Sequence, residues 1–420
     1  MRNWALWGQN FCNAEIVDKE GHMINNQLFK KVHGCNVAGY VGAALGEPSR
    51  RAGGGVFDCY KGLCGPIEGA HYKVIDELLG KPVDKMLPQV KAWVGGEIPK
   101  IGYEAQAWRT IRWHNGPIFK VPALNYPPGT NEDGGERKWL VMKAIWDRGG
   151  RITKEDLRKS WLKYANPDWF GYHLLPRDKC TYENMKKYPA SEVGKYDRWP
   201  GNVDCLMMIH PIGIINACDP PMAAMDALDV CQTIQSSLIS FAPDSSAAIA
   251  AAIAEAFRPE ATVDSIIQAG KAYVDENVGQ VIDECIGYAK QVPDMLDVRE
   301  LYWKRFGGRV PTDSLEVVGE SFAMFWLTKG DPKQCMIAGS SLGRDTDCIA
   351  SIAGAIAGAF KGIDAIPRDW VDICEKAIKA DTHEIITTSM EEQSKALYDI
   401  LLKIMEDRKK QIKTIESLMR

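Results

Sequence analysis

Asp345 and Asp347 stand two residues apart in the stretch Gly343 to Gly362, GRDTDCIASIAGAIAGAFKG, and a run made almost wholly of Ala, Gly and Ile follows at once. A single Asp there would cap a helix, accepting backbone N–H bonds and favouring the positive end of the dipole. Two partly buried carboxylates repel, and one is driven to protonate unless a cation sits between them. Asp, Asp and nearby hydroxyl or carbonyl oxygens form a hard donor set, which suits Mg²⁺, Mn²⁺ or Ca²⁺ and not zinc. A cage needs more ligands, and Pro127 to Glu136, PPGTNEDGGE, offers Thr130, Asn131, Glu132 and Asp133 at another helix start behind a Pro/Gly loop. Taken singly each turn is an ordinary cap; taken together they are the two halves of a binuclear cage.

The elements that must hold these acids are helical. After Asp347 the spacing predicts a helix from about Ile349 to Phe360, with Gly354 and Gly358 four apart and Ala350, Ala353 and Ala357 beside them. Small residues at that spacing let neighbouring helices approach closely, so this helix is expected to be central and surrounded. Glu136 to Asp147 places Trp139, Met142 and Trp146 on one face, and Gly149-Gly150 supplies the stop. Thr153 caps KEDLRKSWLKY. Pro220 to Leu238, Ser245 to Phe257, Asp297 to Phe306, Ser314 to Thr328 and Pro332 to Gly339 continue the series, and Pro367 suits the first turn of another helix. No block of alternating β-branched residues predicts a sheet, although short strands fit near Trp93 to Val121. The fold class read from this pattern is all-α.

Three segments resist a helical reading: Gly46 to Gly69, Gly95 to Gly129, and Ala165 to Pro200. The last holds Trp169, Phe170, Tyr172, Tyr182, Tyr188, Tyr196 and Trp199, which either stack on a planar ligand group or pin a long loop to the core. A C-terminal helix from about Glu384 repeats Leu397, Leu401, Ile404, Ile412, Ile415 and Met419, packing on the chain's own core or forming a homodimer seam.

The bulk numbers exclude some classes. The 420 residues are 45% hydrophobic with a net charge of −4, which argues against a nucleic-acid binder. The apolar run after Asp347 stops at Lys361, far short of the ~20 residues of a membrane span. The N-terminus lacks the basic start and apolar core of a secretory signal, and twelve scattered cysteines without a CxxC read as reduced thiols in a cytoplasmic protein.

GRDTDCIASIAGAIAGAFKG closely resembles the GGDTDTxAAIAGAxAGAxxG signature of the ADP-ribosylglycohydrolase family. Three more blocks fit in order. HGCNVAGYVGAALGEP is similar to the family's N-terminal GxxxGxxxGxxLGxP helix, TNEDGGERKWLVMKAIWDRGGRITKEDL to its acidic TDDT helix, and GNVDCLMMIHPIGIINACDPPMAAMDAL to its GN…PxG…DPxxAA block. The resemblance implies one helical domain over residues 1–420, with its core at about 32–375 and a helical extension at 381–420. It implies a binuclear Mg²⁺ or Mn²⁺ centre, and cleavage at C1 of a ribose in an ADP-ribosylated or other small glycoside substrate.

Residue by residue, the resemblance carries metal binding to Asp345 and Asp347, to Glu132 and Asp133, and to Asn131. The catalytic carboxylate falls on Glu68, through a second partial match in GPIEGAHYKVIDELLG, with Asp133 as its partner; Arg50 stands where LGxP is usually followed by Glu. Cys348 replaces a metal-binding Thr, Gly134 replaces a Thr, and Arg344 replaces a Gly. Arg344 would hold a substrate phosphate or carboxylate, or else pair with a cage acid and weaken the metal, with Trp169 and Phe170 as stacking groups. These departures keep three readings open: a metal-dependent glycosidase, a non-catalytic nucleotide- or sugar-binding member, and a partner-binding helical protein whose acids are only caps.

Overall fold

The computed structural model describes residues 26–52, 111–112, 124–125, 129–131, 133–170, 173–197, 199–238, 240–292, 297–307, 309–310, 312–342, 344–381 and 384–419. Glu68, Glu132, Tyr172 and Gly343 lie outside them, as do the side chain of Arg50 and most of the Gly46 to Gly69 and Gly95 to Gly129 segments. The fold is all-α. Its helices are α1 (Gln27–Ala52), α2 (Asp133–Arg148), α3 (Lys154–Tyr164), α4 (Pro176–Lys187), α5 (Ala190–Val193), α6 (His210–Ile215), α7 (Pro220–Cys231) and α8 (Ala242–Ala256). They continue as α9 (Val263–Lys271), α10 (Glu276–Ala289), α11 (Val298–Phe306), α12 (Ser314–Leu327), α13 (Pro332–Leu342), α14 (Thr346–Lys361), α15 (Arg368–Ala380) and α16 (Met390–Ser417). Among the described residues the only strands are β1 (Ile111–Arg112) and β2 (Leu124–Asn125), an antiparallel pair with Ile111 opposite Asn125.

The helix behind the two aspartates is central. Every residue of α14 from Thr346 to Ala359 is buried, and α1, α8, α12 and α13 pack around it. Its small side chains are the cause. A Cβ on Gly34 of α1 would lie 2.5 Å from the Gly358 carbonyl oxygen, and one on Gly42 would lie 2.6 Å from the Ala350 carbonyl carbon. Contacts that short are never populated, so any larger residue here would force the two backbones apart. Ser351 Oγ then donates to the Gly39 carbonyl (2.8 Å), and Thr346 Oγ1 to the Gly46 carbonyl (2.8 Å). The crossing thus satisfies the hydroxyls it buries.

Several boundaries differ from the sequence reading, each for a local reason. α2 begins at Asp133, three residues early, because Gly135 serves as space for Asn131 rather than as a turn. A Cβ on Gly135 would stand 3.0 Å from Asn131 Oδ1. Nor does α2 have one greasy face: all of Asp133 to Met142 is buried, while Trp146 is 40% exposed. α7 stops at Cys231, and beyond it Thr233 Oγ1 donates to the Lys154 carbonyl and Gln235 Nε2 to the Trp199 carbonyl. Pro367 is the cap of α15 rather than a first-turn residue, and α16 starts at Met390 behind a Ser389–Glu392 capping box. α9 and α10 have no counterpart in the sequence reading, and α4 and α5 lie inside Ala165 to Pro200, the segment expected to be non-helical. Thr153 caps α3 as expected, in a capping box with Asp156.

The C-terminal helix divides in two. Leu397 and Leu401 are buried, and α16 packs against α1, α2 and α6. Ile412 (55%), Ile415 (53%) and Met419 (82%) are exposed. The first half therefore packs on the chain's own core, and only the second half leaves the stripe uncovered.

Candidate metal centre

Asp345 is the residue at which α14 starts, and Asp347 lies in its first turn. Both are buried, and so is Cys348. One donor atom from each of the three lies within 4.8 Å of the other two. The capping reading fails for Asp345, whose side chain makes no capping hydrogen bond to α14. Two carboxylates held together in a buried turn and not used as an N-cap are the arrangement a hard divalent cation fits. The thiol of Cys348 fits it less well: it is soft, and its Sγ lies 2.9 Å from Met207 Sδ.

Arg344 shows how the turn is fixed. Its φ of 60° is left-handed, which costs a side-chain-bearing residue about 1–2 kcal/mol. The buried guanidinium offsets that cost. Nε and Nη2 donate to the two oxygens of Glu316 on α12, and Nη2 reaches the carbonyls of Phe306 and Arg309, each at 3.1 Å. Two nitrogens of Arg344, expected at a substrate anion, are thus committed to Glu316, and the side chain is buried. Burial pushes the Glu316 carboxyl up, to about 8; Arg344 opposes the rise, and Asp313 and Asp345 add to it.

The second acidic turn has a different chemistry. Asp133 Oδ2 is 2.7 Å from Arg137 Nη2 and 3.4 Å from Arg177 Nη2. Arg137 also makes a two-pronged bond to Asp178 on α4, both contacts at 2.8 Å. Asp204 joins the network, 3.3 Å from Arg137 and 2.6 Å from Arg177. Burial opposes the charge on Arg137, but Asp133, Asp178 and Asp204 overcome it, so the guanidinium is held charged more firmly than usual. Asn131 is fully buried, and neither of its side-chain polar atoms has a hydrogen-bond partner among the described residues. A buried amide costs about 1–3 kcal/mol when unsatisfied, so this is a position open to a ligand.

One segment connects the two turns. Asp204 belongs to the Arg137 and Arg177 network, and Met207, three residues on, touches Cys348. Three residues span no more than about 11 Å. The same segment reaches α12, where Asn202 bridges Asp313 and the Ser314 N–H donates to the Gly201 carbonyl (2.7 Å).

The aromatic expectation is corrected in part. Phe170 is buried against Tyr182, with ring centroids 5.4 Å apart, so apolar burial pins it to the core instead of leaving it for a substrate. Trp169 is half-buried and packs on the same core. Arg137, Arg177, Asp178, Asp204 and Glu316 all escaped the sequence reading. The one available signal was Glu136-Arg137-Lys138, three charges in the helix that also carries Leu140 and Val141, all of them buried.

The ADP-ribosylglycohydrolase family model matches residues 25–403. The chain belongs to the ADP-ribosylglycohydrolase family. Among curated proteins, "ADP-ribosylhydrolase ARH3" of Homo sapiens is 51% identical over 43 residues, 10% of this chain and 12% of that protein. Its Danio rerio counterpart is 58% identical over 41 residues, 10% and 11% of the two chains. The chain thus aligns with about an eighth of the length of these relatives. A solved structure titled "ADP-ribosylglycohydrolase-related protein complex" aligns over 89% of this chain and 99% of its own, at 17% identity and a TM-score of 0.50. That likeness concerns the fold alone. Among the described residues no helix is long and apolar enough to cross a membrane.

Proposed function

We propose that the chain is a metal-dependent glycoside hydrolase, cleaving the N- or O-glycosidic bond at C1 of an ADP-ribosyl or related ribosyl group. The observation that carries this reading is the convergence of Asp345 and Asp347 in a buried turn where Asp345 is not used as a cap. These two side chains would hold the cation, Mg²⁺ or Mn²⁺, with Asn131 as a neutral oxygen donor to it or to the substrate. Such a cation, when bound, supplies Lewis acidity toward the vicinal ribose hydroxyls and lowers the pKa of a water. In the reaction the C1–N or C1–O bond breaks, the water oxygen bonds to C1, one water proton goes to a carboxylate base, and the protonated base passes that proton on to the leaving group. Glu68 is our candidate base. Asp133, the second catalytic candidate, is already paired with two guanidiniums, so its part would be to hold the α2 turn in shape rather than to supply charge. The described cysteines are free thiols, which suits a cytoplasmic setting.

A second reading, a nucleotide- or sugar-binding member without turnover, is favoured by Cys348 in place of a hydroxyl donor. The two separate on a panel of ADP-ribosylated amino acids and small ribosides, assayed with Mg²⁺ and Mn²⁺. Cation-dependent turnover that falls about 10²- to 10³-fold in Asp347→Ala supports the hydrolase. Saturable ligand binding with no turnover supports the second reading. Full activity in Asp347→Ala removes the metal mechanism.

A further inference from the structure

We infer that this chain takes one divalent cation, at the Asp345 and Asp347 turn, rather than the two its family resemblance implies. The inference rests on the metal-dependent reading above and concerns only how many cations the site holds. Asp133 is the described carboxylate to which the second cation would be assigned, and two guanidiniums already neutralise it: Arg137 at 2.7 Å and Arg177 at 3.4 Å. Those guanidiniums are not recruited from solvent. Arg137 is buried and gripped by both oxygens of Asp178, one of which also accepts the Leu175 N–H at 2.7 Å. Asp204 holds Arg177 at 2.6 Å and is itself fixed by Asn202 Nδ2 at 2.9 Å.

The cluster therefore contains three carboxylates and two permanent cations, all in van der Waals reach of their partners. A divalent ion on Asp133 would meet two like charges that cannot lose a proton. It would also have to displace the charge-assisted hydrogen bonds of the buried Arg137, where losing one partner of a pair is most costly. Asn131, the unsatisfied buried amide beside this cluster, offers ligand atoms without charge, so it can complete a coordination shell but cannot replace the carboxylate. At the other turn the flanking cation is drawn aside, since Arg344 donates through Nε and Nη2 to Glu316. In this chain two arginines do at the start of α2 what a metal ion would otherwise do: they hold three acids together.

The test is metal binding to the intact chain, not turnover. Mn²⁺ would be titrated by equilibrium dialysis with elemental analysis, and the bound ion examined by electron paramagnetic resonance. The expected result is one Mn²⁺ per chain with the spectrum of an isolated ion. Asp345→Asn should abolish that binding, whereas Asp133→Asn should keep it within about threefold in affinity and lower the melting temperature. Two Mn²⁺ per chain with an exchange-coupled spectrum would overturn the inference. So would a single Mn²⁺ lost in Asp133→Asn and kept in Asp345→Asn. Should Asp133→Asn not fold, the wild-type stoichiometry and spectrum decide by themselves. No Mn²⁺ at all would defeat the metal-dependent reading, a different failure from finding two.

Discussion

The first turns of α2 and α14 both carry acids behind a glycine-containing loop, and the chain treats them in opposite ways. At α14, Asp345, Asp347 and Cys348 bring their donor atoms within 4.8 Å, while the adjacent Arg344 reaches across to Glu316 on α12. At α2, Asp133 enters a network in which Arg137 meets Asp178, 41 residues away, and Arg177 reaches back 44 residues to Asp133. An acidic helix start is therefore not a metal site by virtue of its sequence. At α2 distant parts of the chain supply the counter-charge, because a buried carboxylate must be neutralised by something.

Four changes would break or sharpen that contrast, and the largest effect belongs to α2. Arg137→Ala strips the shared partner from Asp133, Asp178 and Asp204 and should destabilise the chain by about 3–5 kcal/mol in denaturant unfolding. A loss under about 1 kcal/mol would mean that the three acids find neutralisation elsewhere.

Next comes Glu136, on the same helix, which accepts the Ile385 N–H at 2.8 Å and the Leu174 N–H at 3.1 Å. Burial raises its carboxyl from 4.5 to about 7, with His173 pulling the other way. A folded value above the unfolded one means that its stabilising contribution is complete below about pH 4.5 and is lost as pH rises through about 7, a swing of about 3 kcal/mol. Glu136→Gln should flatten that slope in stability measured from pH 4.5 to 8. It should also cost stability at every pH, because an amide nitrogen would face one of the two N–H donors. An unchanged slope would assign the titration to another group.

At α14 the effects are smaller and fall on binding. A Cβ on Gly46 would lie 2.5 Å from both the Cα and the N of Asp347, so Gly46→Ala should push the turn itself. A loss of about 1–3 kcal/mol is expected, together with weaker Mn²⁺ binding, whereas Gly150→Ala, with nothing within 4 Å, should leave binding unchanged. Equal effects from the two would show that α1 does not set the turn. The smallest change is Cys348→Thr, which exchanges a soft donor for a hard one and should tighten Mg²⁺ about tenfold by calorimetry. Unaltered affinity would place Cys348 outside the coordination shell.

Much of α14 was legible in the sequence. Gly354 and Gly358 beside Ala350, Ala353 and Ala357 predict a helix that others approach closely, and α1 crosses it on Gly34 and Gly42. Asp345 and Asp347 were readable as a pair because both lie on one local turn, and local turns follow from neighbouring residues. The network at α2 was not readable in this way. A helix expected to begin at Glu136 left Gly134-Gly135 in the loop, and nothing in Glu136-Arg137-Lys138 announces burial, since charge in a sequence usually signals solvent. Phe170 misled for a similar reason: an aromatic in a long connection has the same composition whether it waits for a ligand or, as here, packs on Tyr182.

The sequence by itself determined many of the helices, the close crossing beneath α14 and the family, because periodicity, small-residue spacing and motif are properties of short stretches. Only the tertiary structure decided which acids are tied to arginines. That choice depends on Asp178, Arg177, Asp204 and Glu316 arriving from elsewhere in the chain, and charges buried away from water act on whichever partner the fold brings within about 3 Å.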